Sequence, residues 1–144
     1  MEVIFWLVAG VIGSAALIRF ARQKPPESRL NIFGYALIIA SLIYVGFAAL
    51  DSNLSWVGIE SVGVLIYGVF FILSKSRGMY LLALGWLLHP VWDTVLHLFG
   101  VGSSFAPDWY ATMCISFDIT VACYLLAVQA HGEKLHREAL KSDS

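Results

Sequence analysis

Residues 85–97 read GWLLHPVWDTVLH, and this stretch decides the fold that the sequence predicts. It is an apolar helical pattern that carries His89, Asp93 and His97 at steps of four residues. At about 100° per residue, two such steps turn by only about 80°, so the three side chains share one helix face. The flanking residues are those of a membrane span, and ionisable groups at that depth are costly, so they indicate a functional site.

The composition of the chain indicates a membrane protein. Of its 144 residues, 59% are hydrophobic and 13% are charged, whereas globular proteins average about 25% charged residues. A soluble chain this short could not bury so much apolar surface. We therefore expect an all-α, polytopic transmembrane helix bundle with the lipid bilayer as its solvent, residues 1–130 as its single domain and 131–144 as a polar tail.

Five apolar runs are long enough to cross the bilayer core, which needs about 20 helical residues. They cover residues 2–20, 31–50, 55–73, 79–99 and 108–129. Pro25 and Pro26 end the first run, and the turn composition of Asp51, Ser52 and Asn53 ends the second. The sequence therefore predicts five spans.

The positive charges orient these spans. All nine Lys and Arg residues fall in the first connector, the third connector or the tail, which lie on one side of the five-span arrangement. The positive-inside rule makes that side cytoplasmic. We therefore expect a multi-pass protein of the cell inner (plasma) membrane, with its N-terminus outside and its C-terminus in the cytoplasm. The few basic residues are explained by topology, so nucleic-acid binding is not expected.

Polar residues of the third, fourth and fifth spans fall at matching depths. Counted from the outer ends at 1.5 Å per residue, Glu60, Asp93 and Cys114 lie about 7–9 Å deep, and His89 and Asp118 lie about 15 Å deep. The short loop between the fourth and fifth spans predicts that these two helices are antiparallel neighbours. The sequence thus predicts that these side chains converge.

Imidazole and carboxylate groups together suit a divalent transition metal such as Zn, Fe or Mn. We expect His89, Asp93, His97 and Asp118 to be the metal ligands, with Glu60 or Asp93 as a general base. The site is expected to open outward because His97 lies nearest the outer surface.

The core motif resembles that of a family of small bacterial integral membrane proteins classed as a domain of unknown function. Its pattern is GWLLH-x-x-WD, then a further histidine, an outer loop and a Cys-x-x-x-Asp pair, which here is Cys114 and Asp118. Glu60 in the third span also fits the family. The resemblance covers residues 56–118. The family has no assigned activity, so the resemblance implies the site and not a reaction.

Three functions stay open at this point. The first is a metal-dependent enzyme that hydrolyses or oxidises a lipid-like substrate or binds another small-molecule ligand. The second is a proton- or ion-coupled transporter or channel subunit whose relay uses Glu60, Asp93, His89 and Asp118. The third is a structural subunit, in which His89 and Asp118 are only a hydrogen-bonded pair and Cys114 is only a packed thiol. The sequence leaves open a monomer or a homo-oligomer.

Overall fold

The structure is a computed structural model that describes residues 1–142, and in that range it is all helical. Five α-helices follow one another: α1 (Glu2–Arg22), α2 (Pro26–Leu50), α3 (Leu54–Arg77), α4 (Met79–Asp93) and α5 (Asp108–Ser142). A π-helical turn, Thr94–Leu98, continues α4, and a 3-10 turn, Val101–Ser104, lies before α5. With its π-helical turn, α4 joins the other four helices in being long and apolar enough to cross a membrane. The prediction of an all-α bundle with five helices, each long and apolar enough to cross a membrane, is confirmed.

The helix ends follow from local sequence. Pro26 occupies the first turn of α2, where its missing N–H removes no helical hydrogen bond. The side chain of Asn53 caps α3 by accepting a hydrogen bond of 3.3 Å from the backbone N–H of Trp56. Gly78 separates α3 from α4 and has a φ of 104°, a conformation that residues other than glycine rarely adopt.

The predicted polar tail is a direct continuation of α5. The helix runs without a break to Ser142, while residues 143 and 144 of the predicted tail lie outside the described part of the chain. Residues 131–141 are exposed. Two ion pairs at i,i+4 spacing, Lys134–Glu138 at 3.9 Å and Glu133–Arg137 at 4.0 Å, favour the helical state.

The outer surface of the bundle is apolar. Large aliphatic side chains are more than half exposed on several helices, among them Val8, Ile12, Ile39, Leu65 and Ile72. Soluble monomers rarely expose contiguous apolar patches of this kind. The exposed aliphatic surface therefore fits a bundle surrounded by lipid.

The helices pack in an order that differs from their order in the chain. α5 packs between α1 and α4, and α3 packs between α2 and α4, while α1 and α2 contact each other much less. One apolar cluster includes Phe33, Leu37 and Trp86, and a second includes Tyr44 and Cys114 nearer the α4–α5 connector. The ionisable residues of α4 lie where these two clusters meet.

α1 approaches α5 closely at Gly10. A Cβ atom there would overlap the Ser116 side chain and the Met113 carbonyl of α5. Ser116 also donates a hydrogen bond of 2.7 Å from its hydroxyl to the Leu7 carbonyl. A small residue at position 10 therefore lets α1 dock against α5.

We expect Gly10→Ala to lower the free energy of unfolding by about 1–3 kcal/mol, because the added methyl group forces the two helices apart. The measurement is unfolding of the purified protein in mixed detergent micelles. Gly46→Ala is the matched control, since a Cβ there would meet nothing within 4 Å. Equal stability of the two variants would contradict the close contact.

Candidate metal centre

At the end of α4 and in the turn that follows it, the ionisable residues face two different neighbouring helices. Pro90 lies inside the helix, and its carbonyl accepts a hydrogen bond of 2.6 Å from the Thr94 hydroxyl. The chain then widens into the π-helical turn, in which the Phe99 N–H bonds to the Thr94 carbonyl at 3.1 Å. The extra residue in this turn rotates His97 away from the line of His89 and Asp93.

Four candidate metal ligands meet between α4 and α5. They are His89, Asp93, Cys114 and Asp118, which we call the four-residue cluster, and one ligand atom from each lies within 4.8 Å of the others. His89 Nδ1 and Asp118 Oδ2 share a hydrogen bond of 2.8 Å. His89 Nδ1 also lies 3.5 Å from Asp93 Oδ2. Each helix thus contributes two residues at i,i+4 spacing, which face one another across the interface.

The cluster is deeply buried and its hydrogen bonding is incomplete. His89 is 1% exposed, and Asp93 and Asp118 are fully buried. Within residues 1–142, His89 Nε2, both Asp93 oxygens and Asp118 Oδ1 make no hydrogen bond of ordinary geometry. Leaving a buried carboxylate unpaired costs free energy. A bound cation would supply the missing partner for these atoms.

Glu60 and His97 form a second pair, separate from the four-residue cluster. His97 Nε2 lies 3.3 Å from Glu60 Oε1, and both residues are buried. Trp92 donates a hydrogen bond of 3.2 Å from its indole N–H to Glu60 Oε2. The structure therefore divides the predicted site: His89, Asp93 and Asp118 lie together with Cys114, and His97 lies with Glu60.

Aromatic rings enclose His97, and one of them, Tyr44, also lies beside the four-residue cluster. The Tyr44 ring stacks on His97 with centroids 4.2 Å apart, and it is 6.0 Å from His89. The Tyr44 side chain also lies beside Asp93. Phe105 of the α4–α5 connector contacts the edge of the His97 ring at 5.5 Å.

The expected outward opening past His97 is not found among the described residues. His97 is fully buried, because the connector folds back over it. A Cβ atom on Gly102 would lie 2.6 Å from His97 Nδ1, so the connector backbone rests directly on the imidazole. The bundle is closed at the end that carries the α4–α5 connector.

Three aromatic residues at the site were not predicted to take part in it. Tyr67 contacts His89 at 5.1 Å, and its spacing of seven residues from Glu60 on α3 could have indicated a shared face. Tyr44 offered no such signal, because α2 is apolar all round. Trp92 packs against α3 at Gly63 and also donates its indole N–H to Glu60, a role for which the sequence carries no signal.

A family model described as a family of unknown function, DUF6010, matches residues 5–131. Neither the curated proteins nor the solved structures compared with the chain gave a match.

The hydrogen bond between Trp92 and Glu60 can be tested by a double-mutant cycle. We expect Trp92→Phe and Glu60→Ala to show a coupling energy of about 0.5–2 kcal/mol, because each removes one partner of the same bond. The measurement is unfolding in mixed micelles. Trp109→Phe combined with Glu60→Ala is the control and should be additive. Additivity for both pairs would show that the Trp92–Glu60 bond contributes nothing.

Proposed function

The chain belongs to this family of unknown function, as the sequence resemblance predicts, and we propose that it is a multi-pass membrane protein that binds a divalent transition metal at the four-residue cluster. The observation that carries the proposal is the meeting of two i,i+4 pairs of ligand-type residues from α4 and α5, buried and within 4.8 Å. Helix bundles build metal sites from inward-facing side chains in this way.

The chemistry of the four side chains favours some metals over others. One imidazole, one thiol and two carboxylates are a mixed nitrogen, sulfur and oxygen set, which suits Zn or Fe. The thiol makes Mn, the third metal expected from sequence, a weaker match. With Cys114 and both carboxylates ionised, a doubly charged cation would offset most of the buried negative charge. Such an ion, when bound, polarises a substrate or activates a water molecule.

The Glu60–His97 pair is proposed to hold and exchange protons beside the metal. The Tyr44 ring stacks on His97 and the Tyr44 side chain lies beside Asp93, so the pair lies next to the four-residue cluster. Asp93 then serves as a ligand, and Glu60 is the remaining candidate for a general base. In this role the protein is a metal-dependent enzyme acting on a lipid-like substrate.

The relay hypothesis has less support. A proton- or ion-coupled transporter needs polar groups along the whole path across the membrane. Beyond His89, the described core next contains Trp86, Leu82 and Leu125, which are fully buried and apolar in their packing. A polar path through the monomer would therefore stop at the four-residue cluster.

The metal centre is tested by two cysteine variants on the same helix. Purified wild-type protein is expected to hold about one metal per chain by elemental analysis. Cys114→Ala should bind the metal at least about tenfold more weakly, because it removes one ligand. Cys123→Ala is the matched control, since Cys123 is exposed on the far side of α5 and should change nothing. Co²⁺ loading adds a second readout, a thiolate-to-cobalt absorption band that only Cys114→Ala should remove.

Two further variants separate the ligand sets. His89→Ala should abolish metal binding, whereas His97→Ala should retain the metal if His97 pairs only with Glu60. Loss of the metal in His97→Ala would instead make His97 a ligand, as the sequence analysis expects. Wild-type protein without stoichiometric metal would refute the metal centre. In that case, loss of stability in His89→Ala and Asp118→Asn without any other effect would support a structural subunit.

The orientation in the membrane is proposed from charge. The Lys and Arg residues lie in the last turns of α1 and α3, around the connector from α1 to α2, and in the part of α5 beyond its membrane-crossing length, and by the positive-inside rule this segregation puts the C-terminus in the cytoplasm. A fluorescent protein fused to the C-terminus should therefore fluoresce, and an alkaline phosphatase fused there should be inactive. Active phosphatase at the C-terminus would reverse the orientation.

A further inference from the structure

A crevice of about 380 Å³ lies where α1, α2 and α5 meet. Small side chains leave this space open, among them Gly13 of α1 and Ala36 and Ala40 of α2. Although residues 23–25 alone connect α1 to α2, the two helices contact each other little, so the gap persists along the seam between them. Its volume is in the range of small-molecule binding pockets.

The crevice ends on the four-residue cluster. Tyr110, Cys114 and Asp118 of α5 form part of its lining. Of the two cluster members that line the crevice, Cys114 is 4% exposed and Asp118 is fully buried. A larger groove of about 490 Å³ between α3 and α4 contacts Tyr67 and Trp92 but no member of the cluster. The connector covers His97, whereas the crevice reaches the cluster from the side.

The mouth of the crevice faces hydrocarbon. Ile39 and Ile43 of α2 border it and are 59% and 37% exposed, which in a membrane-crossing helix means exposed to lipid chains. The residues that line the crevice include no Lys or Arg, whereas Asp118 lies at its floor. An anionic head group would find no opposite charge in the crevice and would be repelled by the carboxylate. The lining therefore favours a hydrocarbon chain.

Depth decides which part of the chain reaches the floor. The Trp6 and Trp109 rings, 5.0 Å apart, lie at the end of the bundle where α5 begins and suit a membrane interface. From Asp108, Cys114 lies about 9 Å deep and Asp118 about 15 Å deep. One leaflet of the hydrocarbon core is about 15 Å thick. A lipid whose head group lies at the interface thus presents the distal half of its chain to the floor.

We propose that an acyl chain of a bilayer lipid occupies this crevice and places the distal half of its hydrocarbon, not its head group, against Cys114 and Asp118. The inference rests on the proposed function in one respect, because it names long-chain lipids as the substrate class of the proposed metal centre. Its geometry rests on the crevice alone, so the two can be tested apart.

The test uses vesicles that contain phosphatidylcholine with a photoreactive diazirine either near the carboxyl end or in the distal half of one acyl chain. After irradiation, mass spectrometry maps the labelled residues. We expect the distal probe to label residues 113–118 roughly tenfold more than the proximal probe, which corresponds to about 1.4 kcal/mol of positional preference. Ala40→Phe should reduce this labelling because it fills the crevice. Ala16→Phe is the matched control, since Ala16 is exposed on α1 outside the crevice.

Even labelling of all lipid-facing helices by both probes, or unchanged labelling in Ala40→Phe, would overturn the proposal. Gly13→Leu is a second variant that narrows the crevice, in this case from α1. The comparison of the two probes in wild-type protein needs no variant, so it tests the proposal even where a variant does not fold. Metal content is measured on the same samples. Labelling of the crevice without bound metal would refute the metal centre and retain the lipid site, whereas bound metal without such labelling would refute only the lipid site.

Discussion

The structure depends on keeping ionisable side chains inside a membrane, and the bond between His89 and Asp118 is the main way in which it does so. The bond is 2.8 Å long and joins α4 to α5 where both side chains are out of reach of solvent. A carboxylate in such a place is costly unless it is paired. The pair fixes the register of the two helices, and this register brings Asp93 and Cys114 together one turn away. The four-residue cluster is therefore a consequence of one interhelical contact.

The fold was largely predictable from sequence because the bilayer imposes simple rules. Each span must be about 20 apolar helical residues, and a helix rises 1.5 Å per residue, so His89 and Asp118 could be placed at one depth. His97 was harder to place, since its direction depends on the π-helical turn after Pro90. A rule of 100° per residue fails there. Closure over His97 depends on the backbone of the connector at Gly102, and connectors carry no periodic signal.

The aromatic residues show a second limit of sequence reasoning. Aromatic side chains are common on every helix of a membrane protein, so no sequence pattern distinguishes those beside the site from the others. Tyr44 is set apart only by its position, with its ring stacked on His97 at 4.2 Å and its hydroxyl buried. It thereby lies next to both His97 and Asp93, two residues that a regular α-helix would have kept on one face. Sequence could predict the ionisable residues of the site but not the way in which they are divided.

Closure at one end and openness at the side both follow from the way in which α5 packs between α1 and α4. The connector between α4 and α5 folds back over His97, and the His89–Asp118 bond joins the two helices beneath it. α1 packs against α5 through Gly10. It contacts α2, the next helix in the chain, much less. The space that results lies along the helix axes and faces the lipid, where water is scarce. Electrostatic interactions with the cluster are strong in such surroundings. A ligand of the proposed metal centre would therefore approach it from the hydrocarbon of the bilayer.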